Sequence, residues 1–163
     1  LTSLVEEVIA PHRDFGIQIK LLPGERVGAE PVGRRNAGVI YGLGNLVENA
    51  VDFARTAVTV RWSWNDDSVT FAIIDDGPGF PPEILDRIGE PYMSTRQDAG
   101  RGGGLGLGMF IAKTLLERSG ATVEFRNSSG PGEGAVVHVG WPREIFLNPE
   151  TAAGTSFDII RAP

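Results

Sequence analysis

Val69-Thr70-Phe71-Ala72-Ile73-Ile74-Asp75-Asp76-Gly77-Pro78-Gly79-Phe80 reads as a strand that runs into two carboxylates and two glycines. Val69, Phe71 and Ile73 alternate with smaller or more polar neighbours, the period of a half-buried strand. Just upstream, Val58, Val60, Trp62 and Trp64 alternate in the same way, and Asn65-Asp66-Asp67 between the two runs is a hairpin signal. Farther upstream the period changes. Val39, Ile40, Leu43, Leu46, Val47, Ala50, Val51 and Ala54 recur at helical spacing, which predicts a helix over about 36–55 with Asn36 as N-cap. Downstream, Pro81-Pro82 opens a short helix to Ile88, and residues 89–104 form a glycine-rich loop. A helix over Leu105–Ser119 follows, closed by Gly120. Strands Thr122–Arg126 and Ala135–Trp141 come next, joined by the turn Ser129–Gly134.

The two ends of the chain are plainer. Thr2–Ala10 is amphipathic and reads as the end of a helix, stopped by Pro11. Phe15–Leu22 alternates as a strand, Pro23-Gly24 is read as a turn, and residues 24–35 as a loop. Residues 143–163 show no clean period and read as a tail or an expression remnant, leaving residues 1–142 as one domain. Leu1 in place of methionine suggests a piece of a longer protein.

Composition removes several classes of function. The 163 residues hold 15 Lys and Arg against 21 Asp and Glu, a net charge of −6 that argues against a nucleic-acid binder. With no cysteine there is no disulfide, thiolate metal site or thiol nucleophile. His12 and His138 are too few and too far apart for a histidine-rich zinc site. No apolar run is long enough for a membrane helix, and no signal peptide opens the chain.

Three motifs carry chemistry. On the first long helix, Asn45, Asn49 and Asp52 share a face, with Glu48 beside them. A polar helix face is ordinarily just solvated, but paired asparagines are poor helix formers. Their amide oxygens are hard, neutral donors suited to Mg²⁺ that also holds phosphate. At the strand end, Asp75-x-Gly77-x-Gly79 is either a tight turn or a carboxylate that accepts a bond from an exocyclic amine, the glycines admitting a flat ring. Gly100 to Gly108 leads into a helix whose free N–H groups and positive dipole end suit phosphate. It is not a Rossmann loop, because no start point satisfies G-x-G-x-x-G. Nor is it a P-loop, because Ala112 stands before Lys113-Thr114.

In this order the motifs resemble the catalytic, ATP-binding domain of bacterial sensor histidine kinases, from about Val5 to Pro142. The superfamily also includes gyrase, Hsp90-type chaperones and mismatch-repair ATPases. Asn45-Leu-Val-Glu-Asn49-Ala50 resembles the N box, Asp75–Gly79 the G1 box, Glu90–Arg96 the F box and Gly102–Gly108 the G2 box. Glu90–Arg96 and Phe110–Gly120 further resemble the redox-responsive Reg/Prr type. The resemblance implies a two-layer α/β sandwich of the Bergerat type, with a mixed sheet of about five strands on three helices and a glycine-rich lid over ATP.

It also implies roles. Asn49 would ligate Mg²⁺ with Asn45 near the phosphates, and Glu48 is the best candidate for a general base. Asp75 would bind the adenine amino group in a pocket lined by Gly77 and Gly79. Gly102, Gly104, Leu105, Gly106 and Leu107 would belong to the lid, Tyr92 would secure it, and Arg96 could reach the phosphates. Asp52 departs from the pattern, since many members carry lysine there. That leaves Lys113 or Arg96 to supply positive charge. Asn45 stands where hydrolase and serine-kinase relatives carry a glutamate, which favours the histidine kinase branch over an ATPase, an anti-sigma-factor kinase or a degenerate docking module.

The partners implied are the phosphoacceptor histidine domain of the same kinase, in cis or trans, and indirectly a response regulator. Neither His12 nor His138 fits the acceptor pattern. The expected setting is a monomeric cytoplasmic domain of a membrane-bound parent.

Overall fold

The computed structural model describes residues 1–13, 16–85, 87, 88, 90, 105–128 and 134–148. Five strands and five helices follow in the order α1 (Thr2–Ile9), β1 (Gln18–Arg26), α2 (Ala37–Phe53), β2 (Ala57–Trp64), β3 (Ser68–Asp75), α3 (Pro82–Leu85), α4 (Leu105–Arg118), β4 (Thr122–Asn127), β5 (Ala135–Pro142) and α5 (Arg143–Leu147). A single 3-10 turn, Ala10–His12, caps the end of α1 where Pro11 enters. The strands form one sheet in the order β1-β2-β3-β5-β4, with β1 parallel to β2 and the other pairs antiparallel. The expected two-layer sandwich with a five-stranded mixed sheet is thus present, and its helices pack on one face.

That face is built by strand alternation. Val58, Val60, Trp62 and Trp64 of β2 are buried, as are Val69, Phe71 and Ile73 of β3 and Ala135, Val137, Val139 and Trp141 of β5. Helices α1, α2 and α4 cover them with Val5, Val8, Ile9, Leu43, Leu46, Val47, Ala112 and Leu116. The helices approach closely at Gly42, where an added Cβ would lie 2.8 Å from Leu116 Cγ and 3.2 Å from the Ala112 carbonyl. Asn36 caps α2 as expected, its Oδ1 accepting from the amides of Gly38 and Val39 at 2.9 and 3.2 Å. Gly120 closes α4 at φ +86.

Four expectations change. Pro23-Gly24 is not a turn but part of β1, which continues to Arg26 with a register shift between Pro23 and Arg26. β1 lies at the sheet edge, where a residue without an N–H is tolerated. The helix expected to reach Ile88 ends at Leu85. Residues 143–147, expected to belong to a tail, form α5, whose Phe146 packs edge-on against Trp141 with ring centroids 5.6 Å apart. The proposed start of the first strand at Phe15 lies outside the described residues, and Gly16 and Ile17 precede β1. The remaining element boundaries on described residues agree to within two residues, the ordinary fraying of element ends, while the expected loop 89–104 and turn 129–134 lie largely outside the described residues.

Candidate functional site

Asp75 is the last residue of β3 and continues its inward alternation, so its carboxylate enters the core face opposite Val58. It is only 4% exposed. Its Oδ1 accepts from the amides of Gly77 at 2.8 Å and Ala135 at 3.3 Å. Its carbonyl accepts from Gly134 N–H at 2.6 Å. The other carboxylate oxygen has no partner among the described residues. Burial raises the Asp75 carboxyl above the usual carboxylate range, and the neighbouring Asp76 adds to this, while the backbone amides pull the other way. The result is a buried acceptor, fixed at one oxygen and without a partner for the other among the described residues.

The glycines around it are set by close approach. A Cβ on Gly77 would run into the Phe53 carbonyl at the end of α2 and lie 2.7 Å from Asp75 Oδ1. On Gly134 it would lie 2.5 Å from the Gly77 carbonyl and 2.6 Å from Asp75 Oδ1. Gly79 has φ +79, and its Cβ would meet Asn127 Oδ1 at 2.7 Å. Asp76 points the other way. It accepts from the Arg55 and Thr56 amides at 2.7 and 3.0 Å and from the Thr56 hydroxyl, tying the α2–β2 turn to the end of β3. Burial alone would raise its carboxyl, but these bonds and the amide of Ala57 outweigh that and hold it below the usual range.

The polar face of α2 extends from this corner. Asn45 and Asn49 are half-buried, while Glu48 and Asp52 are exposed. Asn45 Nδ2 donates to the Tyr41 carbonyl at 2.8 Å, which leaves its Oδ1 facing the first turn of α4. A Cβ on Gly108 would lie 3.7 Å from that oxygen. The structure therefore brings Asp75, Gly77 and Gly79 together at the C-terminal end of α2, and sets Asn45, at the midpoint of that helix, beside the first turn of α4. Leu105 and Gly106 open α4, and Leu107 is 63% exposed on it. Tyr92, Arg96, Gly102 and Gly104 lie outside the described residues. Lys113, one candidate for the missing positive charge, makes its ion pair along α4 with Glu117 at 3.9 Å.

Three residues of this corner were not singled out from sequence: Asn127, Gly134 and Ala135. Gly134 lies in a glycine-rich turn, which was its only signal. Asn127 and Ala135 carry none, because their roles arise from strand pairing.

Residues 37–145 match the family model described as histidine kinase-, DNA gyrase B- and HSP90-like ATPase. The chain belongs to this ATPase family. Among curated relatives it is 43% identical over 161 residues to sensor histidine kinase RegB of Cereibacter sphaeroides, an alignment covering 87% of this chain and 35% of that protein. The chain thus spans about a third of the length of that relative. The ATPase fold is also that of the solved catalytic domain of histidine kinase ThkA, with a TM-score of 0.69, 19% identity, and 89% and 95% of the two chains covered. Full-length ShkA in complex with AMPPNP superposes with a TM-score of 0.63 at 27% identity, covering 86% of this chain and 29% of that one. The family, the sandwich fold and the likeness to Reg-type sensor kinases all agree with the motif reading.

Proposed function

We propose that this chain binds Mg-ATP and presents its γ-phosphate to a histidine of a separate phosphoacceptor domain of the same sensor kinase. The observation that carries this reading is the arrangement of Asp75. One oxygen is locked by two backbone amides and the other has no partner among the described residues, in a corner where only glycine fits. A buried carboxylate held in this way accepts the exocyclic amine of a purine and penalises a ring that offers a carbonyl there.

The phosphate end lies along α2. Asn45 and Phe53 are eight residues apart, about 12 Å along a helix axis. A ligand with a flat base at one end and phosphates at the other matches that separation. The N-terminus of α4 sits at the phosphate end and offers free N–H groups and a positive dipole. The donor chemistry fits Mg²⁺. The described residues hold no group of three acidic or histidine side chains that could hold a metal ion, and the Asn45 amide oxygen has no partner among them. Neutral oxygen donors suit an ion whose remaining ligands are phosphate and water. Asn49, with Asn45 beside it, would hold the ion, which when bound neutralises phosphate charge. Glu48 would assist as base, Gly102, Gly104 and Gly106 would form the lid over the phosphates, Tyr92 would secure it and Arg96 would reach the phosphates. Catalysis then rests on holding the γ-phosphate in line and excluding water rather than on covalent chemistry by this chain. The ShkA complex with the ATP analogue AMPPNP supports the reading. The response regulator would act after the transfer, and the cytoplasmic side of a membrane is the setting such a sensor needs.

Calorimetric titration with ATP, in Mg²⁺ and in EDTA, tests the proposal. Saturable binding that Asp75→Asn abolishes is expected. Its Mg²⁺ dependence should disappear in Asn49→Asp. A folded chain that binds no ATP under either condition overturns the reading.

A further inference from the structure

We infer that Asn127 is a positioning residue for the adenine end of the site, a two-point clamp that sets Gly79 and Phe80 relative to Asp75. This rests on the nucleotide reading above. Asn127 is the last residue of β4 and lies opposite Ala135 of β5. The two members of this one cross-strand pair hold the two halves of the corner. Ala135 donates its amide to the Asp75 carboxylate at 3.3 Å. Asn127 Oδ1 accepts from Phe80 N–H at 2.7 Å, and its Nδ2 donates to the Phe80 carbonyl at 2.8 Å. Both polar atoms of the carboxamide are therefore spent on the backbone of one residue. The side chain replaces the strand neighbour that Phe80 has lost, five positions after β3 leaves the sheet.

The clamp reaches the base pocket through Gly79. Its left-handed backbone lies directly under the carboxamide, at the distance that excludes any Cβ. The Phe80 side chain is secured separately. It is 5% exposed and packs edge-on against Phe125 with centroids 5.9 Å apart. Removing the Asn127 carboxamide should thus leave the core intact while freeing the Gly79–Phe80 backbone to drift. Structure and positioning make different predictions, and they can be separated.

The test uses the 163-residue chain as Asn127→Ala and Asn127→Asp. ATP and ADP are titrated by calorimetry, melting temperatures are measured, and amide exchange is followed at Phe80 and Ala135. In Asn127→Ala, both nucleotides should bind about tenfold more weakly, by equal factors, since the defect lies at the base and not at the phosphates. Phe80 should lose amide protection and Ala135 should keep it. Asn127→Asp keeps the acceptor for Phe80 N–H but sets a carboxylate oxygen against the Phe80 carbonyl, so it should bind both nucleotides at least as weakly as Asn127→Ala. If Asn127→Ala does not fold, Asn127→Asp carries the test, and wild-type affinity in it overturns the inference. Unchanged affinities with a lowered melting temperature also overturn it, because Asn127 would then only brace the hairpin. If the wild-type chain binds neither nucleotide, the site reading fails and this inference fails with it. Wild-type binding that Asn127→Ala leaves intact refutes the clamp alone.

Discussion

Asp75 occupies the place where the inward alternation of β3 leads to a further apolar side chain after Val69, Phe71 and Ile73. A carboxylate there is costly to ionise, and its raised pKa records that cost. The sign of the linkage follows. The native protein binds this proton more tightly than the unfolded chain. The group therefore stabilises the fold below its unfolded pKa, and this contribution is lost as pH rises through the higher folded value. Asp75→Asn removes the charge but keeps an acceptor for Gly77 and Ala135. Its melting temperature at pH 7.5 should equal or exceed that of the wild type, and the difference should shrink as the pH is lowered toward 4. ATP binding should be lost all the same. Thermal melts across pH beside one ATP titration check both halves; a variant much less stable at pH 7.5 would contradict the assignment. Gly77→Ala makes the opposite test. Its methyl collides with the Phe53 carbonyl, a backbone group that cannot rotate away, and with the Asp75 carboxylate, which two backbone amides hold. We expect a destabilisation of about 1–3 kcal/mol by overpacking together with loss of ATP binding, read by denaturant melts and calorimetry.

At the scale of elements, α2 is the ruler of the site, and Gly42 fixes how closely it lies to α4. Gly42→Val would push Leu116 and the Ala112 backbone aside. The expected cost is about 2 kcal/mol, with weakened ATP binding although no residue of the base pocket has changed. Denaturant melts and an ATP titration on the same sample measure both. Wild-type affinity in that variant would show that the helix spacing does not matter to the site. Elements of this kind were legible because local pattern decides them. The period of α2, the cap at Asn36 and the alternation in β2, β3 and β5 each need only a short window of sequence. The misread elements are those that tertiary contacts decide. Pro23-Gly24 has turn composition, yet edge pairing with β2 holds it extended, and Gly24 fits where a Cβ would lie 3.2 Å from Ser63 Cβ. Helix α5 is too short to show a period, and it is held by Phe146 on Trp141 and by Arg143 Nη1 donating to the Asn65 carbonyl at 2.8 Å. In the site, the acceptor and the glycines were readable as a motif. The Asn127–Ala135 pair was not, because those residues meet Phe80 and Asp75 only once the sheet is assembled.

For the molecule as a whole, the balance of charge and the placing of its histidines decide what the domain can do alone. A net charge of −6 opposes a polyphosphate at long range, so affinity must come from local donors and, on the proposed function, from Mg²⁺. Bound nucleotide should then stabilise the fold by mass action. At a free concentration of a hundred times Kd the gain is about 2.7 kcal/mol, or roughly 5–10 °C in melting temperature for a chain of this size. On the proposed function, however, bound ATP should not make this chain its own substrate. His138 projects from the side of β5 away from the core, half-buried between Ala72 and Glu124 of the neighbouring strands. Its Nε2 lies 2.6 Å from Arg126 Nη2. Burial lowers its pKa, Arg126 lowers it further, and Glu124 opposes them. The Arg126 guanidinium can only donate, so this contact engages Nε2 as an acceptor, one of the two ring nitrogens that could take a phosphoryl group. His12 lies in the 3-10 turn that ends α1. The chain incubated with radiolabelled Mg-ATP should therefore take up no acid-labile, base-stable label, and His138→Ala should behave identically. Adding a helical domain that carries the kinase's phosphoacceptor histidine should place label on that domain, and Asn49→Asp should prevent it. Label on the isolated chain that His138→Ala removes would mean that the sheet, and not a separate domain, supplies the acceptor.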